Sequence, residues 1–394
     1  MCTNRARLLA LLLNCFAGLS AQSIQGNRNC DAALVFQKVN SMLGEKAYEQ
    51  AGKTLDEFQA CPTRSTLETF QLGWLYGRAR RFDVALKMFS AVPQDVPDRL
   101  THDYAVALSK FELADYQGSI NVLKSQESSG LADTKSTNLL AVSYSKLGLY
   151  REAYQVLADQ IQRDPTDLSL YLNLVTVCAD GGDFAKAADV AAQAAQLFPK
   201  SADVFILRGA ADTLLGHLDQ AYADFTTAAR LAPQRADARF FLALTKYKEG
   251  KYSEAVNILR VAVSEGISDS DVHYLIAECL LKIDPGKPDD ALHELDRAVD
   301  LNTNSVSART LRGKLLLETA HPKEAVTDLE FASRRDPDSR AALYNLARAY
   351  RALGRTSEAQ ALFRQLRMQK ADTLGEFSDK RLNEALGDKE AYSQ

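Results

Sequence analysis

The chain has 394 residues, of which 46% are hydrophobic and 25% are charged. Its 20 glycines and 10 prolines are too few for a disordered or collagen-like protein, so the composition predicts an ordered chain. The 51 acidic and 47 basic residues give a formal charge of −4, which leaves no excess of cations for a phosphate backbone and argues against generic nucleic-acid binding.

The first 21 residues have the order of a secretory signal peptide. Arg5 and Arg7 precede an apolar run over residues 8–16, and small residues follow up to Ala21. The apolar run is too short to remain as a membrane anchor. We therefore expect cleavage after Ala21, export to the periplasm, the cell envelope or the extracellular space, and no membrane span in the mature protein.

Cys15 offers an alternative, because a lipoprotein signal also ends at a cysteine. Asn14 stands directly before Cys15, where lipoprotein signals have a small residue, so the sequence favours simple cleavage. A buried N-terminal helix is the remaining alternative, and the two arginines without neighbouring acids argue against it. Residues 22–31 then form a short N-terminal segment.

Most of the chain repeats itself every 34 residues. A small residue recurs at this period, with one insertion of two residues, at Ala51, Ala85, Ser119, Ala153, Ala187, Ala221, Ala255, Ala291, Ala325 and Ala359. Apolar or aromatic side chains stand three residues before and four residues after most of these positions, a spacing that places them on one helix face. Each unit is therefore predicted to be a helix, a short turn and a second helix, and stacked units share one continuous core.

Glycine marks the predicted turns, and proline avoids the predicted helices. Left-handed turn residues are expected five positions before the small residue, at Gly148, Gly182, Gly216, Gly250, Gly286 and Gly354. No proline interrupts a predicted helix. The ten units span residues 32–370 with a longer turn at 284–290, and residues 371–394 have the spacing of a C-terminal capping helix.

The period and its residues resemble the tetratricopeptide repeat (TPR) family. One unit carries the pattern of that family at Leu72, Gly73, Tyr76, Ala85, Phe89 and Pro97. The resemblance implies an all-α fold: a right-handed superhelical solenoid of about ten helix–turn–helix units with a C-terminal capping helix. It also implies a scaffold that binds protein or peptide partners in a concave groove lined by the first helix of each unit.

By this resemblance the groove is lined by positions 15, 11 and 8 residues before the small residue, with two residues added in the unit that has the insertion. The predicted groove residues are Phe36, Phe70, Trp74, Tyr104, Phe111, Phe240, Tyr274, Lys314, Tyr344, Asn345, Arg348 and Arg351. The early aromatic residues form a trough, with Trp74 as anchor, for an apolar peptide or helix. The late basic cluster would hold a carboxylate or another anion. The alternative is that the aromatic side chains are core and the charges are a solvated surface.

The cysteines indicate an oxidising compartment. Cys30 and Cys61 flank the first unit at neighbouring ends of its hairpin, so a disulfide between them is predicted for an exported protein. Cys178 and Cys279 occupy helix positions that are apolar or Tyr in other units and are interpreted as buried thiols.

No catalytic, metal-binding or cofactor-binding motif accompanies the repeats. His273 and His293 fall in the two helices of one unit and are interpreted as ordinary histidines rather than metal ligands. The sequence thus predicts a non-enzymatic protein–protein interaction scaffold, without cofactor, in the cell envelope or periplasm. The alternative is a non-catalytic subunit of an enzyme, or of an envelope assembly, secretion or polysaccharide-export complex.

Overall fold

The computed structural model describes residues 30–61, 64–96, 98–128 and 133–368. The predicted signal peptide, Cys15 and the predicted capping helix lie outside these residues. The described residues contain twenty α-helices and no strand, which confirms the all-α fold class. None of these helices is both long and apolar enough to cross a bilayer.

The helices alternate between a first and a second position in each repeat, here called A and B. The A helices are α1 (Ala32–Gly44), α3 (Thr66–Arg78), α5 (Arg99–Glu112), α7 (Thr134–Lys146), α9 (Leu168–Asp180), α11 (Ala202–Leu215), α13 (Ala236–Lys248), α15 (Ser270–Ile283), α17 (Val306–Glu318) and α19 (Arg340–Ala352). The B helices are α2 (Tyr48–Gln59), α4 (Phe82–Ser90), α6 (Tyr116–Ser128), α8 (Tyr150–Arg163), α10 (Phe184–Leu197), α12 (Leu218–Leu231), α14 (Tyr252–Ser264), α16 (Pro288–Leu301), α18 (Pro322–Arg335) and α20 (Thr356–Met368).

The A-to-B turn keeps one backbone conformation in nine of the ten repeats. The residue five positions before the small residue has a positive φ whether it is glycine or not, as at Gly148 (73°) and Arg80 (61°). The expectation for Gly286 is wrong, because Gly286 is not among the residues with positive φ. Its turn is two residues longer, and there the Gly286 amide donates to Asp284 Oδ1 at 3.1 Å.

The described chain divides into two compact units, and the division falls between Val177 and Cys178 within α9. We call the described residues up to Val177 the N unit and those from Cys178 onwards the C unit. Within each unit, consecutive helices pack against each other, and A helices also pack against A helices of the next repeat, as α1 does on α3 and α17 on α19. The A helices therefore form their own layer.

The small residues of the repeat lie between helices A and B. Nine of them have no exposed surface and Ala359 is 2% exposed. In three repeats a glycine of the A helix brings the helices closer still, opposite a large B-helix residue: Gly73 and Phe89, Gly209 and Phe225, and Gly313 and Leu329. A Cβ on Gly73 would lie 2.6 Å from Phe89 Cε1, so only glycine fits beside this ring.

Two repeats of the C unit replace an apolar A–B contact with an ion pair. Arg208 Nε donates to Asp224 Oδ2 at 2.7 Å, and Arg312 Nε donates to Asp328 Oδ2 at 2.6 Å. The side chains of the two aspartates are only 6% and 3% exposed. Six other repeats have apolar residues at both positions, for example Leu140 with Val156 and Leu242 with Ile258.

The four cysteines of the described chain fall into two kinds. Cys30 and Cys61 are joined by a disulfide with their Cα atoms 5.8 Å apart, which links the start of α1 to the end of the first repeat. Cys178 and Cys279 are free and buried. Burial raises the pKa of the Cys178 thiol to about 11 and that of Cys279 to about 12, so both are unreactive packing groups.

Candidate binding surfaces

The predicted groove residues divide into core residues and accessible ones. Phe36 and Phe70 are each 3% exposed, Phe240 is 0% exposed and Tyr274 is 7% exposed. These four residues belong to the core of their repeats; the Phe70 ring, for example, packs against the rings of Phe89 and His102. They therefore support the surface from below and do not offer a face to a partner.

Trp74 and Tyr104 remain accessible on the A helices of the N unit. Both are half-buried, and their rings stack with centroids 6.4 Å apart and an interplanar angle of 28°. Trp74 rests edge-on against Phe70 and Phe89, at 6.4 Å and 5.9 Å, and these rings are buried. The core thus holds Trp74 in one orientation while part of its indole faces outwards.

Tyr104 is partly shielded from water. Burial, and secondly the charge of Asp133, raise the pKa of the Tyr104 hydroxyl to about 12. Leu108 lies half-buried one helical turn further along α5. Trp74, Tyr104 and Leu108 form an apolar surface that we call the N-unit aromatic patch.

Phe111 lies further along α5, close to the turn of its repeat. It is half-buried, and its ring packs edge-on against Tyr116 of α6 at 5.3 Å. Phe111 therefore braces helix A against helix B, and this contact does not involve Trp74 or Tyr104.

The predicted basic cluster lies on the last two A helices of the C unit. Lys314 and Arg351 are exposed, and Tyr344 is 51% exposed. Arg348 lies over the Tyr344 ring, 5.9 Å from its centroid, and its Nη1 donates to Asn345 Oδ1 at 3.2 Å. Asn345 itself is 6% exposed, so it orients Arg348 and is not a surface group.

Two residues of the C-unit surface were not singled out as binding residues by the sequence. Tyr247 of α13 is half-buried, and Glu278 of α15 accepts a hydrogen bond from the Tyr274 hydroxyl at 2.9 Å. The signal was present in the repeat itself. Among the ten positions that lie 11 residues before the small residue, or 13 in the repeat with the two-residue insertion, Glu278 is the single acidic residue.

His273 takes part in a hydrogen-bond chain inside its repeat. Its Nδ1 lies 2.6 Å from Glu294 Oε2, and its Nε2 lies 2.7 Å from Ser268 Oγ. The hydrogen bond with His273 lowers the pKa of Glu294. His273 is 3% exposed and links the loop before α15 to helix α16, whereas His293 is exposed. The described residues contain no group of three or more His, Cys, Asp or Glu side chains able to hold a metal ion.

Sequence comparison identifies the family. The model of the cilia and flagella-associated protein 70 C-terminal domain matches residues 99–341, more than half of the chain. The tetratricopeptide repeat model matches residues 316–378. The chain therefore belongs to the tetratricopeptide repeat family. No curated protein sequence matches it.

Solved structures with the same repeat are distant in sequence. A tetratricopeptide repeat protein from Parabacteroides merdae is 17% identical, with a TM-score of 0.50, and the match covers 64% of this chain and 98% of that one. YrrB, described as a TPR protein with an unusual peptide-binding site, is 21% identical over 52% of this chain and 97% of its own, with a TM-score of 0.36. Yeast Tom70 is 17% identical over 92% and 95%, with a TM-score of 0.43. At these identities the likeness concerns the fold alone.

Proposed function

We propose that the protein is a non-enzymatic scaffold that binds a peptide or a helix of a partner protein on its A helices. Repeat proteins of this class use the extended surface of stacked helices for binding. The observation that carries the proposal is the N-unit aromatic patch, in which Trp74 is held by buried rings and is still half-accessible. A rigid, partly exposed tryptophan is the kind of side chain that dominates protein interfaces.

The basic cluster of the C unit supplies a second, charged contact. Arg348 and Arg351 have no acidic partner within ion-pair distance among the described residues, and Lys314 lies 3.9 Å from Glu318. These cations are therefore available to a carboxylate of the partner, and salt weakens such exposed contacts.

Site-specific photocrosslinking tests the proposed surface. Benzoylphenylalanine placed at Leu108, on the A helix, should crosslink a partner polypeptide, whereas the same group at exposed Lys124 on helix B should not. The two positions lie in one repeat, so they differ in which of its helices carries the group. Equal crosslinking from both positions would assign binding to another surface and contradict the proposal.

We also propose that the protein acts after export, in the periplasm or cell envelope. The support is the signal-like order of residues 1–21, together with a disulfide, a bond that persists in oxidising compartments. N-terminal sequencing of the mature protein should begin at Gln22. An N-terminus at Met1 in the cytoplasmic fraction would contradict export.

A further inference from the structure

One A helix of the C unit carries an acidic residue at a position that is apolar or neutral in the seven preceding repeats and basic in the two that follow. Glu278 occupies the position of Ala210 and Leu244 in the two preceding repeats. Those residues are buried and serve packing alone. A carboxylate at this position is not required by the fold.

The Glu278 carboxylate is only partly compensated. The hydroxyl of Tyr274 donates to its Oε1 at 2.9 Å, and no lysine or arginine of the described chain lies within ion-pair distance. Burial raises the pKa of Glu278, although the Tyr274 hydrogen bond and the charges of Lys282 and Lys314 act in the opposite direction. A half-buried carboxylate with this environment favours the arrival of a positive charge.

A second tyrosine lies within electrostatic range of this carboxylate. Tyr247 lies on the preceding A helix, and the charge of Glu278 is the second cause, after burial, that raises the pKa of the Tyr247 hydroxyl. The Tyr247 ring is fixed edge-on against Tyr252 at 5.4 Å. An aromatic face beside a carboxylate is a combination that attracts an ammonium or guanidinium group through charge and cation–π contact.

We propose that Glu278 and Tyr247 form a subsite that selects a lysine or arginine side chain in a peptide bound on the A helices of the C unit, with the buried Tyr274 orienting the carboxylate. The inference rests on the proposed function, because it assumes that a peptide binds there. The incoming cation would approach the carboxylate beside the Tyr274 hydroxyl and lie against Tyr247. Lys314 does not fill this role, because it is exposed and its ion pair is with Glu318.

A phage-displayed library of random 12-residue peptides, panned on the purified protein, tests the subsite. Peptides selected by the parent protein should be enriched in lysine or arginine at one position, and selection on Glu278→Gln should lose this enrichment. The control is Glu254→Gln, which makes the same change at an exposed site on helix B and should keep the enrichment. Circular dichroism melting establishes that each variant is folded.

The best selected peptide is then labelled, and fluorescence polarisation measures its affinity. A double-mutant cycle gives the coupling energy between Glu278 and the basic residue of the peptide. Glu278→Gln and replacement of the basic peptide residue by methionine should each weaken binding by about 10-fold, and together by little more than either alone. Selected peptides without a basic preference, or with one that persists in Glu278→Gln, would overturn the subsite while leaving the scaffold intact. Failure of the parent protein to select any peptide would overturn both.

Discussion

At the scale of single residues, the accessible aromatics of the N unit owe their position to buried neighbours. Trp74 touches the buried rings of Phe70 and Phe89 on one side and stacks with Tyr104 on the other. Such a side chain loses little conformational freedom when a partner binds, so it contributes more affinity than a mobile residue of the same area.

Truncation of this side chain separates binding from packing. Trp74→Ala should weaken partner binding by about 2 kcal/mol or more, because central aromatic residues of interfaces show losses of this size. Helical content by circular dichroism should remain close to that of the parent. Trp74 is the single tryptophan, so its fluorescence emission should shift to the blue when partner is added. Unchanged affinity with reduced stability would instead assign Trp74 to the core.

The raised pKa of Tyr104 predicts a pH dependence in alkali. The folded state holds the proton more tightly than the unfolded chain, whose tyrosine pKa is about 10. The stabilising contribution is therefore complete below about pH 10 and is lost as the pH rises towards about 12. Urea unfolding at increasing pH should show a smaller loss of stability for Tyr104→Phe than for the parent. Equal slopes for Tyr104→Phe and the parent would contradict the role given to Tyr104.

At the scale of helices, the backbone geometry of the repeat is kept more strictly than the residue type at each position. The A-to-B turn is left-handed at Arg80 and Ala114 as well as at glycines, so packing of the two helices holds the turn even where the residue is strained. The same packing explains why the sequence predicted helices and turns well. Small residues and turn positions recur at the same places in every repeat. The small residue sets the contact between helices A and B, and the turn residue sets the connection between them.

The close contact of α3 and α4 predicts an effect opposite to that of helix propensity, which favours alanine over glycine inside a helix. Gly73→Ala should destabilise the protein by about 1–3 kcal/mol, because the new methyl group overlaps the Phe89 ring. Gly77→Ala on the same helix is the matched control, since its nearest neighbours lie 4.0 Å away. That change should stabilise the protein by about 0.4–1 kcal/mol. Chemical denaturation of both variants measures the difference, and similar effects of the two would contradict this account.

The ion pair in the sixth repeat should be replaceable by the apolar pair found elsewhere. Arg208→Leu alone leaves the Asp224 carboxylate buried without its partner, and should cost about 3–5 kcal/mol. The double variant Arg208→Leu, Asp224→Val restores the contact type of six other repeats and should have nearly the stability of the parent.

Removal of an exposed ion pair is the control for the Arg208 and Asp224 variants. Lys53→Ala removes the pair with Glu49, whose side chains are 72% and 84% exposed, and should leave the denaturation midpoint unchanged. If the Arg208 and Asp224 changes were simply additive, the pair would not act as one unit.

At the scale of the whole chain, sequence determined the fold class better than the binding surface. The 34-residue period is visible without structure because every copy repeats the same packing requirement. Exposure is not visible in this way, since Phe70 and Tyr344 occupy equivalent positions and are 3% and 51% exposed. The Phe70 ring packs against Phe89 and against His102 of the next A helix, whereas the Tyr344 ring contacts Phe363 of its own repeat. The Arg208 and Asp224 pair was detectable only by comparing the same two positions across repeats.

The disulfide should act locally, because the principal contacts join neighbouring helices and successive A helices. Reduction should lower the stability of the first repeat by about 3–4 kcal/mol on the loop-entropy model, given a separation of 31 residues. Hydrogen exchange should accelerate in α1 and α2, while protection in the C unit remains the same. A Cys30→Ser, Cys61→Ser variant should not respond to reductant. Equal loss of protection in the C unit would contradict local action.

The same disulfide sets a limit on how far the protein extends under mechanical load. A repeat that yields to a pulling force releases its chain as added length, at roughly 3.4 Å per residue. The 31-residue interval closed by Cys30 and Cys61 cannot lengthen in this way. Its added contour length, on the order of 100 Å, is released only after the disulfide is reduced. Under tension, the first repeat would keep its length while other repeats unfold.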